Sequence, residues 1–297
     1  MIPYGPHYST QGQISIRLGI VLALKNRDST EKGLAAMDNF FSIDAFSGQT
    51  TLVTGGTSGI GRRTAIEFAA HGANVVISGR NQSRGNAVVD EIRSQGGNVE
   101  LILGEITDST FCDYLVAQTV ERLGSLDILV NNAGIAFHGP IDLMSNDDWH
   151  RLLDTNLSSV FFMSRAALRV MKKQRKGSII NIASEAALRG IANTAAYSAT
   201  KGAIVTMTQV MALDCANEGI RINTICPGDI DTPMMDYAWH DRANSRKAIR
   251  DSVKNHVPLA MVGHPCDIAF SAMYLASDAA RFVTGASLPI DGGTTAR

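Results

Sequence analysis

From Gln49 onward the chain alternates between short apolar, β-branched runs and longer stretches of helical period. Thr51–Thr54, Asn74–Ser78, Val99–Leu103, Leu126–Val130, Ser178–Ile182, Arg221–Ile225 and Ala286–Ile290 read as strands. Arg62–His71, Gly85–Ser94, Thr110–Arg122 and Asp147–Lys172 read as helices between them. Runs such as Asp127–Val130 are apolar almost without a break, which predicts a sheet covered on both faces. Strand–helix alternation with right-handed crossovers predicts a single α/β domain over residues 46–297, a doubly wound parallel sheet of about seven strands with helices on both faces. No internal repeat or low-complexity tract interrupts it.

Residues 1–45 lack this rhythm. Their most apolar stretch, Ile14–Leu24, is interrupted by Arg17 and is far shorter than the ~20 residues that span a bilayer. Residues 1–13 carry no Lys or Arg, unlike a signal peptide, and Asp28 and Glu31 do not suit a mitochondrial presequence. The segment reads as an N-terminal extension, disordered or mis-started with Met37 as the true start. An arm used in assembly is the alternative.

Composition narrows the function. The 297 residues are 45% hydrophobic and 19% charged, which excludes a mostly disordered chain. A net charge of −1 argues against a nucleic-acid partner. Cys112, Cys215, Cys226 and Cys266 show neither zinc spacing nor a disulfide framework. They read as buried thiols of a cytoplasmic protein that binds no metal and no membrane.

The first strand runs into Thr54-Gly55-Gly56-Thr57-Ser58-Gly59-Ile60-Gly61 and then a helical run. This variant of the Rossmann dinucleotide fingerprint lies in the strand–turn–helix context that gives it meaning. Gly55 permits the tight turn, Gly59 lets the backbone approach a pyrophosphate, and Gly61 lets helix and strand pack closely. The helix N-terminus offers N–H groups and positive dipole to the phosphates. The second strand ends in Gly79-Arg80. Where an NAD enzyme usually carries an acid for the ribose 2′-hydroxyl stands Gly79, and Arg80 offers a planar fork to a 2′-phosphate. Both changes favour NADP(H), with NAD(H) as the alternative. Arg84 is a possible helper.

Tyr197 and Lys201 are four residues apart and share a helix face. A free phenol, with a pKa of ~10, is a poor base at neutral pH. An ammonium ~4 Å away is worth ~4 kcal/mol to the phenolate at an effective dielectric of 20, enough to lower the phenol by ~3 units. Ser184 stands at a strand end 13 residues earlier, at the sheet edge where α/β folds bind ligands. Asn131-Asn132-Ala133-Gly134 closes the preceding strand, Asn156 lies in a helical run, and Pro227-Gly228 follows the sixth strand.

These motifs, with Asp291-Gly292-Gly293, occur in order over about residues 45–297. The sequence resembles the short-chain dehydrogenase/reductase family, in its compact single-domain branch, and is generally similar to 3-oxoacyl-carrier-protein reductases and to sugar, steroid and cyclic-diol dehydrogenases. The resemblance implies that Tyr197 exchanges a proton with the substrate oxygen, that Lys201 lowers its pKa and holds the nicotinamide ribose, and that Ser184 stabilises charge on that oxygen. Asn156 would hold a water linking Lys201 to solvent. Ile230 and Thr232 match positions at the nicotinamide end. Asn132, Ala133 and Gly134 match the segment along the adenosine ribose. Glu105 stands where the family usually has an adenine-contacting Asp, so its extra methylene shifts that contact; Ile106 also falls beside the adenine. The family commonly assembles as a homotetramer through the helices around Asn156 and Tyr197, with a dimer as the alternative.

Residues 233–264 read as a substrate lid, with Met234, Met235, Tyr237, Trp239 and His240 in it. Phe137, His138, Glu185 and Leu188 fall beside pocket motifs. Glu185 suits a hydroxyl or amine, yet strand alternation next to Ser184 would point it away. Arg242, Arg246, Lys247 and Arg250 would serve a carrier-protein partner but read equally as a solvated helix face. The expected activity is interconversion of a secondary alcohol and a ketone with NADP(H). An NAD-dependent dehydrogenase of a sugar, cyclic diol or hydroxy acid is one alternative, and a non-catalytic cofactor-sensing scaffold is another.

Overall fold

The seven apolar runs form strands β1 (Thr50–Thr54), β2 (Asn74–Gly79), β3 (Asn98–Leu103), β4 (Ile128–Asn131), β5 (Gly177–Ile182), β6 (Ile220–Pro227) and β7 (Ser287–Ile290). The computed structural model describes residues 41–235 and 246–297, excepting the side chains of 246–249. The chain divides into units of residues 1–43 and 44–297, and every element named here belongs to the second. The strands pair in parallel throughout, in the order β3-β2-β1-β4-β5-β6-β7.

Parallel neighbours need crossovers, and helices supply them. They are α1 (Gly59–Ala70), α2 (Gln82–Ser94), α3 (Ser109–Leu123), α4 (Asn146–Leu153), α5 (Ser159–Gln174), α6 (Ala195–Cys215), α7 (Arg246–His256) and α8 (Pro265–Ala276). Helix α1 packs on α8, and α3 on α5. The central strands β1 and β5 are buried at every residue, whereas the edge strands β3 and β7 are partly open. All four cysteines are buried free thiols.

Polar caps start helices earlier than the apolar pattern does. The Asn81 side chain accepts from Arg84 N, Asp108 from Thr110 N and Ser145 from Asp148 N. These bonds satisfy orphan donors of the first turn, so α2 begins three residues ahead of the expected Gly85. The stretch expected as one helix over Asp147–Lys172 is interrupted by a π-helical turn, Asp154–Ser158, between α4 and α5. The wider turn inserts one residue into the ladder and directs Asn156 into the protein, where it is fully buried.

A polar row crosses the centre of the sheet. Asn131, Asn181 and Thr224 are register partners on β4, β5 and β6. Asn131 Nδ2 donates to Asn181 Oδ1 at 2.8 Å and to Ser164 Oγ at 3.1 Å. Asn181 Nδ2 donates to Thr208 Oγ1, and Thr224 Oγ1 to the same oxygen, both at 2.8 Å. A slip of one residue would turn these side chains to the opposite face, so the row fixes where three strands end.

The strand order reverses between β1 and β4, and ligands bind at such a switch point, beyond the carboxyl ends of the strands. Here the two ends are stitched together. Thr54 Oγ1 accepts from Asn132 N and Ala133 N, each at 3.1 Å, and Asn132 Nδ2 donates to Thr54 O at 3.0 Å and Gly55 O at 3.2 Å.

Candidate active site

A cleft of about 230 Å³ opens at the switch point. Gly55, Thr57, Ser58, Gly59, Ile60, Arg80, Glu105, Ile106, Asn132, Ala133, Gly134 and Thr232 line it, together with Arg84. Gly55 has φ +65°, and a Cβ there would meet Ala133 Cα at 2.9 Å. Gly61 stays behind the cleft, where a Cβ would meet Asn132 Nδ2 at 2.3 Å and Gly55 O at 2.5 Å. It serves packing, as its spacing suggested.

The cleft fits a dinucleotide. Ser58 precedes α1 without capping it through its side chain, and the first turn holds no acidic residue. The leading N–H groups and positive dipole are therefore left facing the glycine turn, as an anion requires. At position 79 a Cβ would meet Thr57 Cγ2 at 2.7 Å, so an acid side chain at the end of β2 would have to displace the buried Thr57. Arg80 reaches into this cleft but is not alone there: its Nη1 lies 3.3 Å from Glu105 Oε2.

A second cavity of about 660 Å³ adjoins the cleft, sharing Ile60, Asn132, Gly134, Thr232 and Met234 with it. Ser184, Tyr197, Lys201, Pro227, Gly228 and Ile230 line this cavity. Tyr197 and Lys201 lie on the first turns of α6, and Ser184 follows β5 by two residues. Thus β5 and α6 bring together three residues that the sequence separates.

Lys201 is buried, and its Nζ donates to Ile182 O at 2.9 Å and faces the Tyr197 ring 5.8 Å from the centroid. Burial brings its pKa down to about 8. Burial also raises the half-buried Tyr197 phenol above its ordinary value, opposed by a hydrogen bond from Ser184 and reinforced by the charge of Glu185. The expected lowering of the phenol by Lys201 is therefore not the dominant effect. The ammonium is itself desolvated and is held by a carbonyl.

Asn156 lines neither cavity but backs them at Gly134, where a Cβ would lie 3.3 Å from Asn156 Oδ1 and 3.6 Å from Lys201 Nζ. Its Oδ1 accepts from Ile135 N at 2.8 Å, and Nδ2 donates to Ile135 O at 2.9 Å and Thr200 Oγ1 at 3.4 Å. The side chain is thus a clamp on the loop after β4. One lone pair of Oδ1 is left for the water that the resemblance implies.

Phe137 and His138 line the larger cavity as expected, and so does Glu185, which strand alternation would have turned away, whereas Leu188 does not. Sequence reasoning missed Arg189, Asp229 and His256, which line it too. Arg189 had a signal, since it stands four residues after Glu185 and pairs with it at 3.0 Å. Asp229 Oδ2 and His256 Nε2 are 2.9 Å apart, a contact between distant segments that no local pattern announces. Within the expected lid, Met234 and Met235 line the cavity, while Tyr237, Trp239 and His240 lie outside the described residues. Of the basic cluster, Arg242 lies outside them, as do the side chains of Arg246 and Lys247, and Arg250 pairs with Asp231. Among the described residues, no helix is long and apolar enough to cross a membrane.

A doubly wound sheet, a phosphate-ready glycine turn and a Ser–Tyr–Lys set at one continuous hollow define a nicotinamide-dependent oxidoreductase. The chain belongs to the short-chain dehydrogenase/reductase family: residues 55–295 match the family model described as Enoyl-(Acyl carrier protein) reductase. It is 38% identical over 247 residues to 2,5-dichloro-2,5-cyclohexadiene-1,4-diol dehydrogenase of Sphingobium indicum, covering 83% of this chain and 96% of that protein. It is 37% identical over 259 residues to NADP-dependent (R)-specific alcohol dehydrogenase of Lentilactobacillus kefiri, covering 86% and 99%. Among solved structures, actinorhodin polyketide ketoreductase with NADPH superposes with a TM-score of 0.81 at 30% identity, covering 86% of this chain and all of that one.

Proposed function

We propose that residues 46–297 form an NADP(H)-preferring oxidoreductase that interconverts a secondary alcohol and a ketone, with residues 1–45 as an extension outside the chemistry. The observation that carries this reading is the placement of Ser184, Tyr197 and Lys201 in a larger, mostly apolar cavity that adjoins the glycine-turn cleft along Ile60, Asn132, Gly134 and Thr232. The nicotinamide cofactor, when bound, supplies hydride in reduction and accepts it in oxidation. In reduction Tyr197 gives its phenolic proton to the carbonyl oxygen as the alcohol forms; in oxidation the phenolate takes the hydroxyl proton back. Ser184 donates a hydrogen bond to the same oxygen while charge develops there. Its hydroxyl oxygen accepts from Ala186 N at 3.2 Å while its O–H serves the Tyr197 phenol, and an entering substrate oxygen takes that hydrogen bond over. Lys201 supplies positive charge beneath the phenol, and Asn156 holds the Gly134–Ile135 backbone against it.

The preference for NADP(H) rests on Gly79, which Thr57 crowds, and on Arg80. A dianionic 2′-phosphate competes well with Glu105 for that guanidinium, because an ion pair between exposed side chains is worth only ~0–1 kcal/mol. A small carbonyl or alcohol is the substrate, and the cytoplasm, where NADP pools serve reduction, is the expected compartment. Assembly as a homotetramer, or as a dimer, is supported by apolar surface left open on α5 and α6, at Phe161, Val210 and Leu213.

The deciding experiment pairs turnover with binding. Tyr197→Phe should lower kcat on a carbonyl substrate at least a thousandfold while NADPH still raises the melting temperature by several degrees. Retained turnover would remove Tyr197 from the mechanism. Loss of the NADPH shift would mean that the change disturbs the site as a whole.

A further inference from the structure

The larger cavity is walled mainly by Ala136, Phe137, Ile182, Ile191 and Met235, yet two carboxylates line it, Asp229, which is paired with His256 at 2.9 Å, and Glu185. Glu185 is 6% exposed and lines the cavity beside Ser184. Its position follows from the backbone. The extended geometry of β5 ends at Ile182, and Glu185–Ala187 is a 3-10 turn with Ser184 at its N-cap. Such a turn rotates successive side chains by about 120°, not the 180° of a strand. Ser184 and Glu185 can therefore serve one cavity, which strand alternation would forbid.

The two oxygens of Glu185 are used unequally. Oε2 accepts from Arg189 Nε at 3.1 Å, from Arg189 Nη2 at 3.0 Å and from the Thr294 hydroxyl. Thr294 is itself buried and belongs to the C-terminal turn. Oε1 accepts no hydrogen bond among the described residues and is not sealed in the protein, so it is the oxygen left to the cavity. A buried anionic acceptor facing an apolar hollow calls for a donor on whatever fills that hollow. Arg189 already balances the charge, so a neutral hydroxyl suits the position better than an ammonium. A substrate carboxylate would be repelled by Oε1.

We propose that Glu185 is a specificity-determining residue which selects substrates bearing a second hydroxyl close to the reacting carbon, a ring diol or its hydroxyketone. This deepens the oxidoreductase reading and rests on it for the placement of the first oxygen, at Ser184 and Tyr197. Ser184 and Glu185 line the same cavity, so one small ring that carries two oxygens can meet both. Arg189 and Thr294 act as positioning residues that hold Oε2 and thereby aim Oε1.

The test compares cyclohexanol with cis- and trans-cyclohexane-1,2-diol and cyclohexane-1,4-diol on the full-length protein with NADP⁺. Both kcat/KM and calorimetric dissociation constants are measured. Wild type should favour at least one diol over cyclohexanol, and Glu185→Gln should reduce that preference, expressed as a ratio, by about tenfold. The double change Glu185→Leu with Arg189→Met removes the pair without stranding a charge, and should abolish the ratio even if Glu185→Gln folds poorly. A general distortion of the pocket would lower both substrates together and leave the ratio unchanged. Turnover with a diol ratio unaltered in both variants, or no diol preference in wild type, would overturn the role of Glu185. No turnover of any alcohol, with diol binding still dependent on Glu185, would overturn the oxidoreductase reading and sustain this one. Absence of both binding and turnover would overturn both.

Discussion

Two residues with opposite ionisation carry the chemistry, and burial pushes each toward its neutral form. For Lys201, whose pKa falls to about 8 from 10.5, the unfolded chain holds the proton more tightly. Between those values the unfolded state binds more protons, so stability rises with pH. The effect is on the order of 3 kcal/mol over the full window. Tyr197 acts oppositely and only above pH ~10, where the unfolded phenol ionises first. Urea titrations from pH 7.5 to 9.5 should show wild type gaining stability relative to Lys201→Met. Parallel curves would mean that the ammonium is not desolvated. At the other end of the hollow, Arg80→Ala should weaken NADPH binding about tenfold or more and leave NADH within twofold. Glu105→Gln should tighten NADPH by no more than about fivefold, since the ion pair it breaks is exposed. Fluorescence titration of both cofactors reads these effects, and an equal change for NADH would disprove the phosphate pairing. Arg80 was legible because the missing acid at position 79 draws the eye to it. Its engagement with Glu105 was not, because strand neighbours β2 and β3 meet only once the sheet is formed.

Elements explain why some substitutions that look simple will fail. Position 79 ends β2, and the buried Thr57 stands over it. Gly79→Asp, the obvious route to NAD, should lower the melting temperature and weaken both cofactors. Combining it with Thr57→Ala should restore stability and shift preference toward NADH. Recovery without the second change would show that the turn can move aside. The strands and most helices were readable from periodicity, since each buries one face or both. The π-helical turn at Asp154–Ser158 was not, because a wider hydrogen-bond step leaves the apolar spacing of its flanks intact. It is nonetheless what turns Asn156 inward. The inward aim of Glu185 escaped for a related reason: a two-residue repeat was extrapolated past the point where the strand ends.

At the scale of the molecule, α5 and α6 each do two tasks. Their inner faces support β4, β5 and β6, and their outer faces leave Phe161, Val210 and Leu213 exposed at 46, 52 and 80%. A single apolar residue on a surface is ordinary, but three of these sizes on two adjacent long helices suit contact with another copy. Leu213→Glu should reduce the oligomer in sedimentation or light scattering without altering NADPH affinity. An unchanged mass would place assembly elsewhere. The parallel sheet and the siting of ligands at its strand ends followed from the strand–helix alternation and the glycine turn, whereas the strand order emerged with the folded sheet. The larger cavity was legible in part, through Ser184, Tyr197, Phe137 and His138, but its Asp229–His256 wall was not, because those two residues meet there from segments 27 residues apart.

The Asn131–Asn181–Thr224 row carries a lesson for anyone remaking this enzyme. It lies behind the chemistry and touches none of it, yet it fixes the level at which the Asn132–Gly134, Ser184 and Pro227–Gly228 segments emerge. Loops grafted onto those three strand ends therefore start from a common baseline, and libraries that vary them need not be retuned to one another. Randomising the row itself would move every graft at once.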